Sequence, residues 1–140
     1  MAFLSEKNLG FDKSNVLVIR QSAALGTALS SFKDELKKIP NVISVGASNS
    51  VPGDFIGSTI YRSPNPELSD LRANLTQWDD DYMETMKMRL VQGRSFGRGY
   101  NDSLSIIINQ SAANSLTTAD PIGLQIRSAG GQQEGPLMTV

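Results

Sequence analysis

Histidine and cysteine are both absent from the 140 residues. Without histidine, the chain lacks the usual general base near neutral pH and the commonest zinc ligand. Without cysteine, it has no disulfide, no thiolate nucleophile and no sulfur ligand for a metal. Serine–histidine–aspartate and cysteine–histidine catalysis are therefore excluded. We predict no catalytic residue, no cofactor-binding residue, no metal ligand and no cofactor.

The chain also has little net charge and no long apolar run. The formal net charge of −1 offers no general attraction to nucleic acid, so we expect no nucleic-acid partner. The longest apolar runs, Val16–Ile19 and Ile106–Ile108, are far shorter than the roughly 20 residues that span a bilayer. The first residues do not resemble a secretory signal. A hydrophobic content of 39% nevertheless predicts a folded domain.

The periodicity of the first 50 residues predicts a strand, a helix and a second strand. Residues 15–20 form a short β-branched run typical of a buried strand, and residues 23–39 carry apolar side chains at helical spacing. Residues 42–48 alternate between apolar and small polar side chains. We expect Ser22 to cap the helix and Pro40 to end it.

The rest of the chain indicates further short elements of both kinds. Predicted strands lie at 58–62, 71–78, 104–108, 124–127 and 137–140, and predicted helices begin at Asp81 and Gln110. Asp81 and Glu84 have the spacing of a capping box, and Asn109 is placed to cap the second helix. The fold class is therefore α+β. Because the chain ends inside the apolar run Leu137–Val140, we expect a fragment whose last strand is cut short.

The acidic run Asp79–Asp81, with Glu84, is the first candidate site. It lacks the alternating spacing and the glycine of a calcium loop, and a helix N-terminus favours the same acidic residues. We therefore interpret the run as a helix cap. A carboxylate pair for glycan hydrolysis needs no fixed sequence spacing, so a carboxylate-dependent glycan-acting enzyme remains an alternative function.

The segment Gly93–Tyr100 interleaves arginine, aromatic residues and glycine, as some RNA-binding segments do. It matches neither GxGxxG nor the Walker pattern of phosphate-binding loops, so we interpret it as a surface turn. Glycosylation sequons begin at Asn74, Asn101 and Asn109, but so short a pattern carries no argument. An extracytoplasmic ligand-binding or sensor domain is a third candidate, which a pocket with a few converging polar groups would favour.

Several sequence blocks follow one another in a recognisable order. They are Leu9–Ile19, Phe32–Leu36, Pro40–Val45, Tyr82–Met86 with Leu90–Phe96, and Ile106–Ala113 with Asp120–Gly123. Together they resemble the MacB-like periplasmic core domain of ABC transporter permeases of the MacB/FtsX type. The pair Tyr82–Met86 with Leu90–Phe96 is similar to the family's YxxTxxxxLxxGRxF stretch, and the last pair is similar to its vIINexaa…DPIG stretch. The resemblance covers nearly the whole chain.

The resemblance implies a fold with porter-like strand–helix–strand units, a mixed sheet and a second, more β-rich lobe. Residues 1–140 would then be one periplasmic core domain, truncated at its C-terminal strand. Its lobes would comprise residues 11–53 with part of 70–100, and residues 101–140.

The function implied by the resemblance is not enzymatic. The domain would lie on the periplasmic face of the bacterial inner membrane and pass ATP-driven motion to a substrate or partner outside. Its partners would be a cytoplasmic ABC ATPase, through the full-length permease, and a periplasmic adaptor or a second permease copy. Efflux, lipoprotein release and control of cell-wall hydrolases all stay open, because a fold alone does not select a cargo.

Overall fold

A computed structural model describes residues 10–12, 14–54, 57–97, 99–116, 120–131 and 133–140. It confirms the α+β class, with a four-stranded sheet and a few short helices. The chain divides into two compact units, Met1–Asn49 with Gln77–Val91, and Ser50–Thr76 with Gln92–Val140. None of the helices in the described part of the chain has the length and apolar character needed to cross a membrane.

The first unit contains the helices α1 (Leu29–Lys37) and α2 (Tyr82–Thr85), with a 3-10 segment at Ser22–Ala28 before α1. The single helix predicted over 23–39 is therefore wrong in its first half. Gly26 has φ 49° and ψ −122°, a conformation outside the helical region that glycine adopts without a Cβ clash. The end of α1 at Lys37, shortly before Pro40, agrees with the prediction.

The predicted cap at Ser22 is also wrong. Ser22 is the first residue of the 3-10 segment, and the N-cap position belongs to Gln21, which has φ 65° and makes no side-chain cap hydrogen bond. The α-helix itself begins seven residues later, at Leu29. Ser22 therefore lies inside a 3-10 segment and caps no helix.

Both strands predicted in the first unit are wrong. Residues 16–19 and 42–47 pair with no strand in the described part of the chain, and only Ser48 makes an isolated bridge, to Trp78. The Leu17 side chain is 86% exposed and that of Ile43 is 92% exposed. β-Branched residues favour strands, but a strand needs a neighbour to supply its hydrogen bonds. No strand–helix–strand unit forms among the described residues.

The core of the first unit surrounds α2. Tyr82, Met83 and Met86 are buried, and the Tyr82 ring stacks on Trp78 with 5.2 Å between ring centroids. Gly46 lies against the backbone of α2, where a Cβ at position 46 would be 2.6 Å from the Cα of Tyr82. Only glycine permits this approach.

The second unit contains the sheet, with strands β1 (Thr59–Arg62), β2 (Leu71–Ala73), β3 (Gln125–Ser128) and β4 (Met138–Thr139) in the order β2-β1-β3-β4. All three ladders are antiparallel, so the predicted mixed sheet is wrong. The strands predicted near β1, β3 and β4 are confirmed. The strand predicted over 71–78 is shortened to β2, and that over 104–108 supplies only a bridge from Ser105 to Thr139.

The core of the second unit lies between one face of the sheet and the helix α3 (Gln110–Leu116). Tyr61, Leu71 and Ile126 of the sheet pack with Leu116 of the helix, and each is at most 9% exposed. The Oδ1 atom of Asn109 accepts a hydrogen bond from the Ala112 amide at 2.8 Å, which confirms the predicted cap of α3.

A turn at Asp120–Gly123 leads into β3. The Leu124 amide donates to the Pro121 carbonyl at 3.1 Å, and Gly123 between them has φ 84°. Ile122 and Gly123 are the two central residues of this turn, and glycine at the second of them accepts the left-handed torsion. The turn in the Asp120–Gly123 block therefore determines where β3 begins.

Candidate functional site

Asp79 and Asp81 of the acidic run form an ion cluster with α1 instead of a helix cap. The Lys33 ammonium group contacts Asp79, and donates to Asp81 Oδ2 at 2.9 Å. Lys37 donates to the same Asp81 oxygen, also at 2.9 Å. Asp81 occupies the N-cap position of α2, but its side chain makes no cap hydrogen bond, so the predicted capping box with Glu84 is wrong.

The electrostatics of this cluster favour ionised carboxylates. Hydrogen bonds from Lys37 and Lys33 lower the pKa of Asp81 to about 2. Burial lowers the pKa of Lys33, but its hydrogen bonds to Asp79 and Asp81 outweigh burial and raise the pKa overall. A general acid at neutral pH needs a raised pKa, so Asp81 is unsuited to that role. Within the described ranges, no group of three or more acidic side chains is placed to hold a metal ion.

The glycine-rich segment is held by its own side chains. Arg94 donates to both carboxylate oxygens of Asp102, at 3.1 and 2.5 Å, and its guanidinium lies 3.8 Å from the centre of the Tyr100 ring. Asp102 also accepts from the Gly97 amide at 3.1 Å. The arginine is therefore used within the loop, in keeping with the interpretation as a surface turn. Arg98 lies outside the described residues.

A cleft in the second unit contains four charged side chains. Arg62 donates through Nε and Nη2 to the two oxygens of Asp70, at 2.9 and 2.7 Å. Arg127 donates through Nη1 to Glu134 at 2.6 Å. These four residues line a cleft of about 420 Å³, whose wall is completed by a proline-containing loop at 63–68. The hydrogen bonds from Arg62 lower the pKa of Asp70.

The carboxylates of this cleft can be compared with those that a glycan-hydrolysing enzyme needs. Asp70 and Glu134 are two acids in one cleft, the arrangement that glycan hydrolysis uses. Each is paired with an arginine, and the pKa of Asp70 is lowered rather than raised. A proton donor would need the opposite shift of its pKa. Asp70 is therefore better suited to orienting Arg62 than to donating a proton.

An exposed apolar segment distinguishes the first unit. Leu17 is 86% exposed, and its neighbours Val18 and Ile19 are 45% and 46% exposed. Contiguous apolar surface of this kind often marks a contact with another protein. The β-branched run at 15–20 predicted a buried strand, whereas Leu17, Val18 and Ile19 are exposed.

Neither the cleft nor the ion cluster could be found from local sequence. Arg62 and Arg127 become neighbours only through the β1–β3 register, and Lys33 is 46 residues from Asp79. Alternation of buried and exposed side chains does place Arg62 on the solvent side of its strand. It does not identify the strand that lies beside it.

Comparisons of the chain with protein-family models, curated proteins and solved structures found no significant match. The blocks that resemble the permease family therefore support a proposal about function and do not establish membership. In the first of those blocks, Leu9 and Lys13 lie outside the described residues.

Proposed function

We propose that this chain is the extracytoplasmic domain of an ABC transporter permease of the MacB/FtsX type. The domain lies on the periplasmic face of the bacterial inner membrane, where it passes motion driven by a cytoplasmic ATPase to a substrate or partner outside. The observation that carries the proposal is the shared order and spacing of the sequence blocks over nearly the whole chain.

The local structure within three of these blocks supports a scaffolding role. In Leu90–Phe96, Gly93 has φ 77° and Arg94 ties its loop to a nearby aspartate. In Ile106–Ala113, Asn109 caps α3. In Asp120–Gly123, proline and glycine form the turn before β3. These residues fix backbone geometry, as the motifs of a mechanical domain should.

Two exposed apolar side chains of the first unit, Leu17 and Ile43, support an interaction role. Residues 15–20 and 42–48 lie on either side of α1 in the sequence, as the strands of a porter-like unit would. We propose that they pair as strands with a segment supplied by the rest of the permease. Burial of Leu17 and Ile43 in that contact would remove apolar surface from water. Besides the cytoplasmic ATPase, the proposed partner is a periplasmic adaptor or another permease copy.

The parent protein provides the first test. We expect membrane-spanning segments on both sides of these residues, and co-purification of the full-length protein with an ABC ATPase. A free-standing cytoplasmic protein without such segments would contradict the proposal.

Substitutions of the exposed Leu17 and Ile43 provide a second test. Leu17→Asp with Ile43→Asp should change the free energy of unfolding of the isolated chain by less than about 0.5 kcal/mol, since both side chains are already solvated. In the full-length permease, the same pair should reduce the stimulation of ATP hydrolysis by cargo or partner. The equally conspicuous Val91, which is 78% exposed but lies outside both segments, provides the control substitution Val91→Asp. An equal effect of the control would argue against the proposed contact.

A further inference from the structure

The charged cleft of the second unit contains an arginine pair built on the sheet. Arg62 and Arg127 are Cα partners on the antiparallel strands β1 and β3. Their neighbours Tyr61 and Ile126 are buried in the core, so the two arginines leave the sheet side by side on its opposite face. Like charges directly opposite each other destabilise a sheet. The arrangement therefore needs compensation by anions.

The two arginines are compensated unequally. Arg62 uses two N–H groups in a bidentate pair with Asp70, which fixes its orientation. Arg127 uses only Nη1, in its hydrogen bond to Glu134. Its Nε and Nη2 have no hydrogen-bond partner among the described residues, and its side chain is 37% exposed. Arg127 is thus oriented by one carboxylate while donors remain available for a second anion.

The loop beside the arginines is well defined by its own hydrogen bonds. Ser63 is buried, and its Oγ accepts from the Asn65 amide at 3.2 Å. The Asn65 side chain accepts from the Glu67 amide at 3.0 Å. Pro64 and Pro66 restrict the backbone further and give the cleft an apolar wall. A volume of about 420 Å³ is within the range of small-molecule sites.

We propose that this cleft binds a small ligand through an anionic group, a carboxylate or a phosphate, that accepts hydrogen bonds from Arg127. The apolar part of the ligand lies against Pro64 and Pro66. A single negative charge suits the cleft better than two, because Asp70 and Glu134 repel a second one. We therefore expect a carboxylate to bind more tightly than a phosphate. The inference does not depend on the permease assignment.

Nuclear magnetic resonance titration tests the proposal. The probes are N-acetyl-leucine as the carboxylate, inorganic phosphate as the second anion and N-acetyl-leucinamide as the neutral control, all at constant ionic strength. We expect saturable shifts of the Arg127 Nε–H signal with N-acetyl-leucine, weaker shifts with phosphate and none with the amide. Arg127→Gln should weaken binding at least about tenfold, as expected for a lost charge-assisted hydrogen bond. Arg72→Gln, on the same face of the sheet outside the cleft, should bind like the wild type.

The outcomes separate the alternatives. Saturable binding of either anion that depends on Arg127 supports the proposal, and the tighter of the two identifies the ligand's anionic group. The backbone spectrum outside the cleft shows whether the Arg127 variant remains folded. Should it unfold, the milder Arg127→Lys, which keeps the charge but loses the planar fork, takes its place and should also bind more weakly. Absence of saturable shifts with both anions, or equal binding by the neutral amide, would overturn the proposal.

Discussion

Lys33 is the side chain whose removal should most clearly affect the first unit. Its side chain is only 13% exposed and contacts the carboxylates of both Asp79 and Asp81. Lys33→Met keeps much of the aliphatic stem but removes the ammonium group. Asp81 then keeps only Lys37, whose side chain is 38% exposed, and Asp79 loses its contact with Lys33. We therefore expect a loss of stability of electrostatic origin.

The magnitude follows from the pKa of Asp81. Its folded-state pKa of about 2 lies below the ordinary value of 3.8. The difference corresponds to about 2.5 kcal/mol without screening, and the 26% exposure of the side chain reduces this to about 1–2 kcal/mol. Because the folded-state pKa is the lower one, this stabilisation is fully present above about pH 4 and is lost as the pH falls through about 2. Lys37 contributes the larger part of this shift and stays in place, so Lys33→Met should cost about 0.5–1 kcal/mol at pH 7 and progressively less below pH 4.

The fluorescence of Trp78, the only tryptophan, is a local probe for this measurement, since it precedes Asp79 and stacks on Tyr82. Urea unfolding at pH 7 and at pH 3 would compare the wild type with Lys33→Met. Lys38→Met is the matched control: among the described residues Lys38 pairs only with the exposed Glu35, so its loss should cost less than about 0.5 kcal/mol. The reasoning fails if the two variants are equally stable, or if the loss in Lys33→Met is undiminished at low pH.

Three further substitutions test the packing and capping. Gly46→Ala should destabilise by about 1–3 kcal/mol because its Cβ would overlap the backbone of α2, whereas Gly99→Ala, with open space around it, should be nearly neutral in the same urea titration. Ile126→Ala should cost about 2–5 kcal/mol at a side chain that is 1% exposed, and Ile122→Ala, at 46% exposure, should cost less than about 1 kcal/mol in thermal unfolding. Asn109→Ala should cost about 1 kcal/mol by loss of the α3 cap, while Asn109→Asp should retain most of it; amide exchange of α3 would show both.

Features set by neighbouring residues were predicted well. Asn109 caps α3 because its side chain reaches an amide three residues on. The strands predicted at 58–62 and 124–127 lie within one residue of β1 and β3 at either end. Such features need no knowledge of distant residues.

Features that need a distant partner were predicted poorly or missed. The apolar run Val16–Ile19 has strand propensity, but the described residues supply no strand beside it. Asp81 has the position of a cap, but two lysines of α1 take its carboxylate. Arg62 and Arg127 meet only through the strand order, which places β1 beside β3. The charged cleft therefore could not be derived from the chain in sequence order.

Hydrogen–deuterium exchange on the full-length parent protein, together with its ATPase, tests the proposed function most directly. The nucleotide-free state would be compared with a state trapped by ATP and vanadate. The proposal predicts that amides in 16–19 and 42–47 are protected in the full-length protein relative to the isolated chain, and that their exchange differs between the two nucleotide states. Identical exchange across residues 10–140 in both states, while ATP is hydrolysed, would contradict it.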